Sequence, residues 1–382
     1  MIYFDNSATT QVDDQVLATY NKVSQDIWGN PSSLHAWGEQ AFNLLEQSRK
    51  QIATLMQVFP DEIYFTSGGS EGDNWAIKGT AMEKRPYGKH LITSSVEHPA
   101  VLNTMAHLER LGFEVTYLPV DKNGRVSAND LEKAIRKDTI LVSIMAINNE
   151  IGTIEPIDQI AQVLEKYPKI HFHVDAVQAI GKGVAQLLNN SRIDLMTFSG
   201  HKFHAPRGVG FMYKKRGRMI QPLIDGGGQE KGLRGGTENL PAIAGMAKAL
   251  RLLLDNEDQK VKKQRQIKDK IYNHIKQFDK VHLFSKDDNS FAPHILCFTI
   301  DGVRGETIVH AFENYGIYIS TTSACSSKKG TIAGTLDAMK VPEKIATSAV
   351  RISLDEHNTM AQADEFIQVF DQLYEKFKMI NS

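Results

Sequence analysis

The sequence lacks the features that mark several special classes of protein. Its 382 residues include two cysteines, which are too few for a disulfide framework or a four-cysteine metal site. No run approaches about eighteen consecutive apolar residues, and the amino terminus has neither the basic region nor the apolar stretch of a signal peptide. Lysine and arginine (44) balance aspartate and glutamate (45), which argues against nucleic-acid binding through overall charge. We expect a cytoplasmic protein that binds neither a membrane nor nucleic acid directly.

The order of apolar segments in the first part of the chain predicts an α/β fold. Up to about residue 215, short apolar runs alternate with amphipathic stretches, which is typical of a mostly parallel sheet covered by helices. The predicted strands lie near residues 63–65, 90–93, 115–118, 140–147, 171–174, 195–198 and 209–213. The predicted helices between them lie near residues 16–27, 41–56, 100–111, 129–137 and 157–167.

The second part of the chain has a different pattern, as expected for a chain too long for one hydrophobic core. A long polar helix is predicted over residues 242–278, and its lysine-rich part indicates a solvated face rather than an RNA or partner patch. An α+β arrangement follows, with strands near 294–300, 317–320 and 350–354 and helices near 307–315, 342–349 and 360–379.

Three segments at the ends of predicted strands point to a cofactor. Lys202 lies where open α/β sheets bind ligands, and a partly desolvated amine there could condense with an aldehyde, although an exposed loop lysine is the alternative. Asp175 ends another apolar run and could pair with a protonated pyridine nitrogen or cap a helix. Residues 66–74 (TSGGSEGDN) open a probable helix, where backbone N–H groups could bind a phosphate or form a simple turn. Together these features indicate pyridoxal 5′-phosphate (PLP).

Ten motifs occur in order along nearly the whole chain. They are DNSATT (5–10), GNPSSLH (29–35), TSGGSEGDN (66–74), EH (97–98), NNEIG (148–152), HVD (173–175), SGHK (199–202), RGGT (234–237), SAC (323–325) and VRISL (350–354). This series resembles the cysteine desulfurases, in the class V branch of the fold-type I PLP enzymes. The resemblance implies a large PLP-binding domain (15–258) with a mostly parallel seven-stranded sheet. It also implies a smaller α+β domain (1–14 and 259–382) that carries a mobile loop with the catalytic cysteine (about 321–334).

The resemblance implies roles for residues around the PLP ring. Lys202 would bond the PLP aldehyde, Asp175 would pair with the pyridine nitrogen, and Gln178 would donate to the ring hydroxyl. His98 would stack on the ring and shuttle protons. Asn149 would hold the ring oxygen.

The resemblance also implies how the two anionic groups of cofactor and substrate are bound. Gly69, Ser70, Ser199 and His201 would bind the PLP phosphate, together with Thr237 from the other subunit of a homodimer. Arg351 would bind the carboxylate of the substrate, a role that suits the planar fork of arginine.

The two cysteines lie in different surroundings. Cys297 lies in an apolar strand, where a thiol behaves as a small hydrophobic group. Cys325 lies in a small, polar stretch that should be mobile, with two lysines that favour a thiolate. In the chemistry that the resemblance implies, Cys325 takes sulfur from L-cysteine as a persulfide, L-alanine is released, and the sulfur passes to an acceptor protein. Iron–sulfur scaffolds and tRNA-thiolation enzymes are both open as acceptors.

Alternative functions would use part of the same residue set. A selenocysteine lyase or another class V PLP aminotransferase would share Lys202 and Asp175, but an aminotransferase has no need of Cys325. A sulfur-carrier adaptor on a decayed PLP fold is disfavoured because the predicted catalytic residues are intact. The histidine pairs 171/173 and 201/204 do not predict a metal site, since no nearby acidic or cysteine ligand completes either set.

Overall fold

The computed structural model describes residues 1–322 and 334–380, which form sheets of seven, four and two strands with helices packed around them. The strands in this part of the chain are β1 (Ile2–Tyr3), β2 (Ile63–Thr66), β3 (His90–Ser94), β4 (Glu114–Leu118), β5 (Thr139–Ser143), β6 (His171–Asp175), β7 (Leu195–Ser199), β8 (Gly210–Lys214), β9 (Val281–Leu283), β10 (Ile295–Ile300), β11 (Ile317–Tyr318), β12 (Ser320–Thr321) and β13 (Val350–Ser353).

The helices in the same ranges are α1 (Asp14–Asp26), α2 (Ala36–Leu55), α3 (Gly69–Lys84), α4 (Pro99–Arg110), α5 (Ala128–Ala134), α6 (Ile157–Glu165), α7 (Ala185–Leu188), α8 (Leu240–Leu254), α9 (Glu257–Ile275), α10 (Gly305–Glu313), α11 (Thr335–Ala338), α12 (Glu343–Ala346) and α13 (Met360–Ile380). No helix among these residues is both long and apolar enough to cross a membrane.

The larger sheet has seven strands in the order β2-β8-β7-β6-β5-β3-β4. Strand β8 runs antiparallel to β2 and β7, and the other neighbouring pairs are parallel. Helices cover both faces, so strands such as β5, β6 and β7 are buried along their whole length. This sheet confirms the predicted α/β class.

The smaller, four-stranded sheet comes from the second part of the chain, and a two-stranded sheet beside it includes the start of the chain. Strands β12, β13, β10 and β9 form an antiparallel sheet, and β1 pairs in parallel with β11. A separate apolar core packs between this sheet and helices α9, α10 and α13, and its aromatic centre includes Phe366 stacked on Phe312. The α+β character of this part is confirmed, whereas the domain boundaries at residues 14/15 and 258/259 stay a prediction.

Several predicted elements have different lengths in the structure. The single helix expected over residues 242–278 is two helices, α8 and α9, because the chain turns at Asn256, whose φ of 54° lies in the left-handed region. Asparagine tolerates this conformation better than most residues. The strand expected over 140–147 ends at Ser143, and of the residues that follow it Met145, Ile147, Asn149 and Glu150 line the site described below. The helix expected over 342–349 is limited to α12.

Candidate active site

A cleft of about 670 Å³ lies at one edge of the larger sheet. Strands β2, β3, β5, β6 and β7 all run in the same direction and end there, so the residues that follow them meet, as expected for an open α/β sheet. A volume of this size suits a small-molecule ligand. The residues predicted for the site that line the cleft are Gly69, Ser70, His98, Asn149, Asp175, Gln178, Ser199, His201, Lys202 and Arg351.

Lys202 reaches into the cleft from a short helical turn after β7. Its Nζ donates to the backbone oxygens of Ser7 (2.5 Å) and Ala8 (2.9 Å). Loss of hydration, helped by the positive charge of Arg351, lowers the pKa of Lys202 to about 8. A useful fraction of this amine is therefore neutral near neutral pH, which is the form that attacks an aldehyde.

Asp175 is a buried carboxyl group at the end of β6. Its Oδ1 accepts from the backbone N–H of Val177 at 2.9 Å, and no other donor to this carboxyl group lies in residues 1–322 or 334–380. Burial raises its pKa, while His98 and Lys202 act in the opposite direction. A protonated pyridine nitrogen would supply the positive donor that such a carboxylate lacks.

His98 is fixed at the mouth of the cleft because it caps helix α4. Its Nδ1 accepts from the backbone N–H of Ala100 at 3.1 Å, so the neutral ring carries its proton on Nε2. Loss of hydration in the cleft lowers the pKa of His98, with Lys202 adding to the effect and Asp175 opposing it. A neutral imidazole in this position can accept and return a proton.

The start of helix α3 forms a close-fitting cradle of backbone. Gly68 precedes the helix with a φ of 151°, and no side chain caps the first turn. A Cβ atom at Gly69 would lie 2.9 Å from Val177 Cγ2 and 3.4 Å from Ser199 Cβ, so only glycine fits without a shift. The open N–H groups of this turn and the nearby Ser199 hydroxyl suit a phosphate.

His201 lies on the wall of the same cleft, one residue before Lys202. Its Nδ1 lies 3.2 Å from the hydroxyl oxygen of Thr9. Burial, with the neighbouring charges of Lys202 and Arg207, lowers the pKa of His201 to about 4. Its ring is therefore neutral at neutral pH, and it can contribute a hydrogen bond rather than a full charge.

Arg351 brings a guanidinium group from the smaller sheet to the cleft. On β13, its Nη1 donates to the backbone oxygen of Asn149 (2.8 Å) and its Nη2 to Asp5 Oδ1 (2.9 Å). Its buried Nε has no partner among the residues that the structure describes. The fork is thus held in place, while one N–H on each Nη nitrogen also has no partner among the described residues. Gln178 is held similarly, since its Nε2 donates to the Ser7 backbone oxygen at 3.0 Å.

Two predicted site residues do not line the cleft of this chain. Thr237 is exposed and lines a neighbouring depression that shares Ser67 and Gly208 with the cleft. Cys325 lies outside the described residues.

The chain on both sides of the undescribed segment contacts the cleft. Thr322 lines the cleft directly. Beyond the segment, the backbone N–H of Thr335 donates to Glu150 Oε2 at 3.2 Å, and Glu150 also lines the cleft.

Two buried acids support the site without having been predicted. Glu97 accepts from Ser94 Oγ (2.6 Å) and from the backbone N–H of Met145 (3.0 Å), which joins the ends of β3 and β5. Asp73, on the inner face of α3, lies 3.6 Å from His173 Nε2. Both acids lie inside the ordered motifs of the sequence. Their burial could not be predicted from those motifs, because it depends on contacts with other strands of the sheet.

The assembled residues fit PLP. The cradle at Gly68 and Gly69 suits its phosphate, the buried Asp175 suits its pyridinium nitrogen, and the Lys202 amine suits its aldehyde. Arg351 lines the same cleft, and the N–H groups that its Nη nitrogens have left suit a substrate carboxylate.

Comparisons with known proteins agree with this reading of the site. The profile of the class-V aminotransferases matches residues 2–366. A NifS/IcsS protein homolog of Lactobacillus delbrueckii subsp. bulgaricus is 61% identical over 381 residues, which cover 100% of this chain and 99% of the relative. The cysteine desulfurase IscS of Methanosarcina thermophila is 42% identical over 377 residues, with 99% and 93% covered. A solved NifS-like protein superposes with a TM-score of 0.90 at 38% identity, covering 98% of this chain and 99% of that one.

Proposed function

Since this chain belongs to the class-V aminotransferases and, within them, to the NifS/IscS cysteine desulfurases, we propose that it moves the sulfur of L-cysteine onto Cys325 and releases L-alanine. The Cys325 thiolate attacks the substrate sulfur, an S–S bond forms, and the substrate Cβ–Sγ bond breaks. The carbon takes up a proton and is reduced, while the sulfur of Cys325 is oxidised to the persulfide level. The step therefore balances without an external oxidant.

The family depends on PLP, and the residues of this chain are suited to hold it. When bound, PLP supplies an aldehyde for the substrate amine and a ring that withdraws electrons from the substrate α-carbon. Lys202 would be its covalent anchor and Asp175 its pyridinium partner. The first turn of α3, with Ser199 and His201, would hold its phosphate.

The remaining residues act on the substrate. Arg351 would bind the L-cysteine carboxylate through the remaining N–H groups of its Nη nitrogens and orient the α-carbon. His98, which also lines the cleft and has a lowered pKa, would accept and return protons. Asn149 would be fixed by the bond from Arg351 to its backbone oxygen, which leaves its side chain for the ring oxygen.

The observation that carries the proposal is the wall of the cleft formed by Ser320, Thr321 and Thr322. Cys325 follows Thr322 by three residues, and three residues of chain span at most about 10 Å. Chain length therefore allows the thiol to reach a substrate bound between Lys202 and Arg351.

The test is the production of alanine and sulfide from L-cysteine by the purified, PLP-loaded protein, with dithiothreitol present to release persulfide sulfur. Equal amounts of both products are expected, and Cys325→Ala should abolish them while the visible absorption of bound PLP persists. Cys297→Ala is the matched control, because Cys297 is the other cysteine and lies fully buried in β10. Normal sulfide turnover by Cys325→Ala would rule out the persulfide route.

We further propose that the persulfide sulfur passes to an acceptor protein of iron–sulfur cluster assembly or tRNA thiolation. With radiolabelled L-cysteine, the label should move from the protein to a cysteine of the acceptor. The step would be contradicted if acceptor proteins of both classes were supplied and the persulfide were still discharged only by small thiols.

A homodimer is also proposed. It is supported by Thr237, which is exposed beside the cleft but does not line it, as expected for a residue that completes the site of a partner subunit. Sedimentation of the PLP-loaded protein should give twice the chain mass, and a fully active monomer would exclude a shared site.

A further inference from the structure

A second cluster of possible ligands lies outside the cleft, where the loop after Lys202 meets the turn after β13. It consists of His204, Glu356 and His357, whose ligand atoms all lie within 4.8 Å of one another. His204 is buried, Glu356 is half-buried, and His357 is exposed. None of these residues lines the cleft that contains Lys202.

The separations within the cluster suit a small divalent ion. His204 Nε2 lies 3.3 Å from Glu356 Oε2. Two ligands about 2.0 to 2.2 Å from a tetrahedral zinc ion lie roughly 3.3 Å from each other, so one edge of such a site is already formed. His357 sits on an exposed turn and can complete the set by a small movement of its side chain.

The orientation of His204 is set by its surroundings. Its φ of 65° is unusual for a residue other than glycine, and its Nδ1 lies 2.8 Å from the backbone oxygen of Gln11. An imidazole that donates from Nδ1 to a carbonyl presents the lone pair of Nε2 in a fixed direction, which is the usual arrangement of a metal-binding histidine. Here Nε2 faces the carboxylate of Glu356, with which it forms an ion pair when the ring is protonated, and a metal ion would take the place of that proton.

The acidic side chains also leave capacity for a cation. Glu356 Oε2 is buried and faces His204 Nε2 at 3.3 Å, the gap that a metal ion would bridge. Asp355 accepts from the backbone N–H groups of His357 and Asn358 through Oδ1, and its Oδ2 lies 3.8 Å from His204 Nε2. Lys182, the buried cation that interacts with these carboxylates, balances one of the two negative charges.

We propose that His204, Glu356 and His357 bind a divalent transition-metal ion of the zinc type, with a water molecule in the remaining position. Two imidazoles and one carboxylate are a ligand set that such ions favour. The site requires neither PLP nor L-cysteine and so goes beyond the proposed function. An ion there would tie the loop that carries Lys202 to the turn that follows the strand of Arg351, and would stabilise their relative positions.

The proposal is tested by calorimetric titration of Zn²⁺ into the full-length, PLP-loaded protein. The protein should carry Cys325→Ser in every case, because a free thiolate also binds zinc, and no histidine tag. One ion per chain is expected. His357→Ala and Glu356→Gln should each weaken binding about tenfold or more. His310→Ala is the matched control, since His310 forms an exposed pair with Glu313 at 3.0 Å and should leave the affinity unchanged.

A second readout separates the metal site from an ordinary ion pair between His204 and Glu356. Saturating Zn²⁺ should raise the Tm of the parent and of His310→Ala, but not that of His357→Ala, because an ion that binds the folded state stabilises it. The exposed His357 can be replaced without removing a buried contact, so this variant should remain folded. Absence of stoichiometric binding, or equal affinity in all variants, would overturn the proposal and leave the cluster as an ion pair only.

Discussion

Lys202 lies among charges of both signs, and their balance sets how readily its amine loses a proton. Loss of hydration and Arg351 favour the neutral amine, whereas Asp175 and Asp5 favour the ammonium form. The backbone oxygens of Ser7 and Ala8 accept hydrogen bonds from Nζ and hold it in place. The net result is a pKa of about 8, which keeps the amine positioned and reactive at neutral pH.

Uptake of PLP by the cofactor-free protein should therefore depend on pH in a defined way. The rate, followed by absorbance, should rise about tenfold between pH 7 and 9 and then level off, because the neutral fraction of an amine with a pKa of about 8 grows over that interval. Arg351→Gln removes a repulsive charge and should shift the curve to higher pH. Arg304→Gln, at an exposed pair with Glu306, should not. A rate that still rises steadily at pH 10 would mean that Lys202 titrates as an ordinary lysine.

Single residues also show what the sequence could and could not predict. Lys202 and Asp175 were predicted from their positions at strand ends, and Arg351 from an ordered motif alone. The structure brings all three into one cleft. The partner of His204 could not be found in this way. The sequence suggested His201 as its neighbour, but His201 faces Thr9, and His204 instead meets Glu356, which is 152 residues away along the chain.

At the level of elements, the junction of β2 and α3 depends on a backbone conformation at Gly68 that only glycine adopts easily. The helix starts at Gly69 immediately after the left-handed Gly68, which directs the first turn of N–H groups toward the cleft. The sequence predicted this junction because glycine and serine follow an apolar strand. It did not predict the break between α8 and α9, because a polar helical pattern continues through Asn256 while the backbone there turns.

Replacement of Gly68 should separate the role of this junction in PLP binding from its role in folding. Gly68→Ala places a Cβ atom on a backbone with φ near 151°, at a cost of about 1 to 3 kcal/mol, and should weaken PLP binding about tenfold. Gly112→Ala introduces comparable strain at φ 85°, in open space at the end of α4, and should lower the Tm without changing the PLP affinity. Equal PLP dissociation constants for both variants would show that the backbone at Gly68 and Gly69 does not contribute to PLP binding.

At the scale of the whole molecule, the cleft is assembled from both sheets. The larger sheet supplies Lys202 and Asp175, whereas the smaller sheet supplies Arg351, whose Nη2 donates to Asp5 near the start of the chain. Alternation of apolar runs was enough to predict the larger sheet and its parallel strands. It could not predict that β1 joins the far end of the chain, since a two-residue strand carries no periodic signal.

The stability of the whole molecule should also depend on one deeply buried acid. Glu155 is 1% exposed, its Oε2 accepts from the backbone N–H of Val126 at 3.0 Å, and its Oε1 has no partner in the parts of the chain that the structure describes. Burial raises the pKa of Glu155 from 4.5 to about 8. The unfolded chain therefore loses this proton first, so the stability that Glu155 contributes is complete below about pH 4.5 and is lost as the pH rises through about 8.

Glu155→Gln should remove this pH dependence, which is worth on the order of several kcal/mol across that window. The Tm of the variant minus that of the parent should become more positive from pH 6 to 8.5, because the amide never has to ionise in the core. Glu132→Gln, at an exposed pair with Lys166, should give a small difference that does not change with pH. A Tm difference for Glu155→Gln that stays constant from pH 6 to 8.5 would show that the buried carboxyl group does not govern stability there. The charge of Glu155 would then be accommodated by Arg125, the cation that acts to lower its pKa.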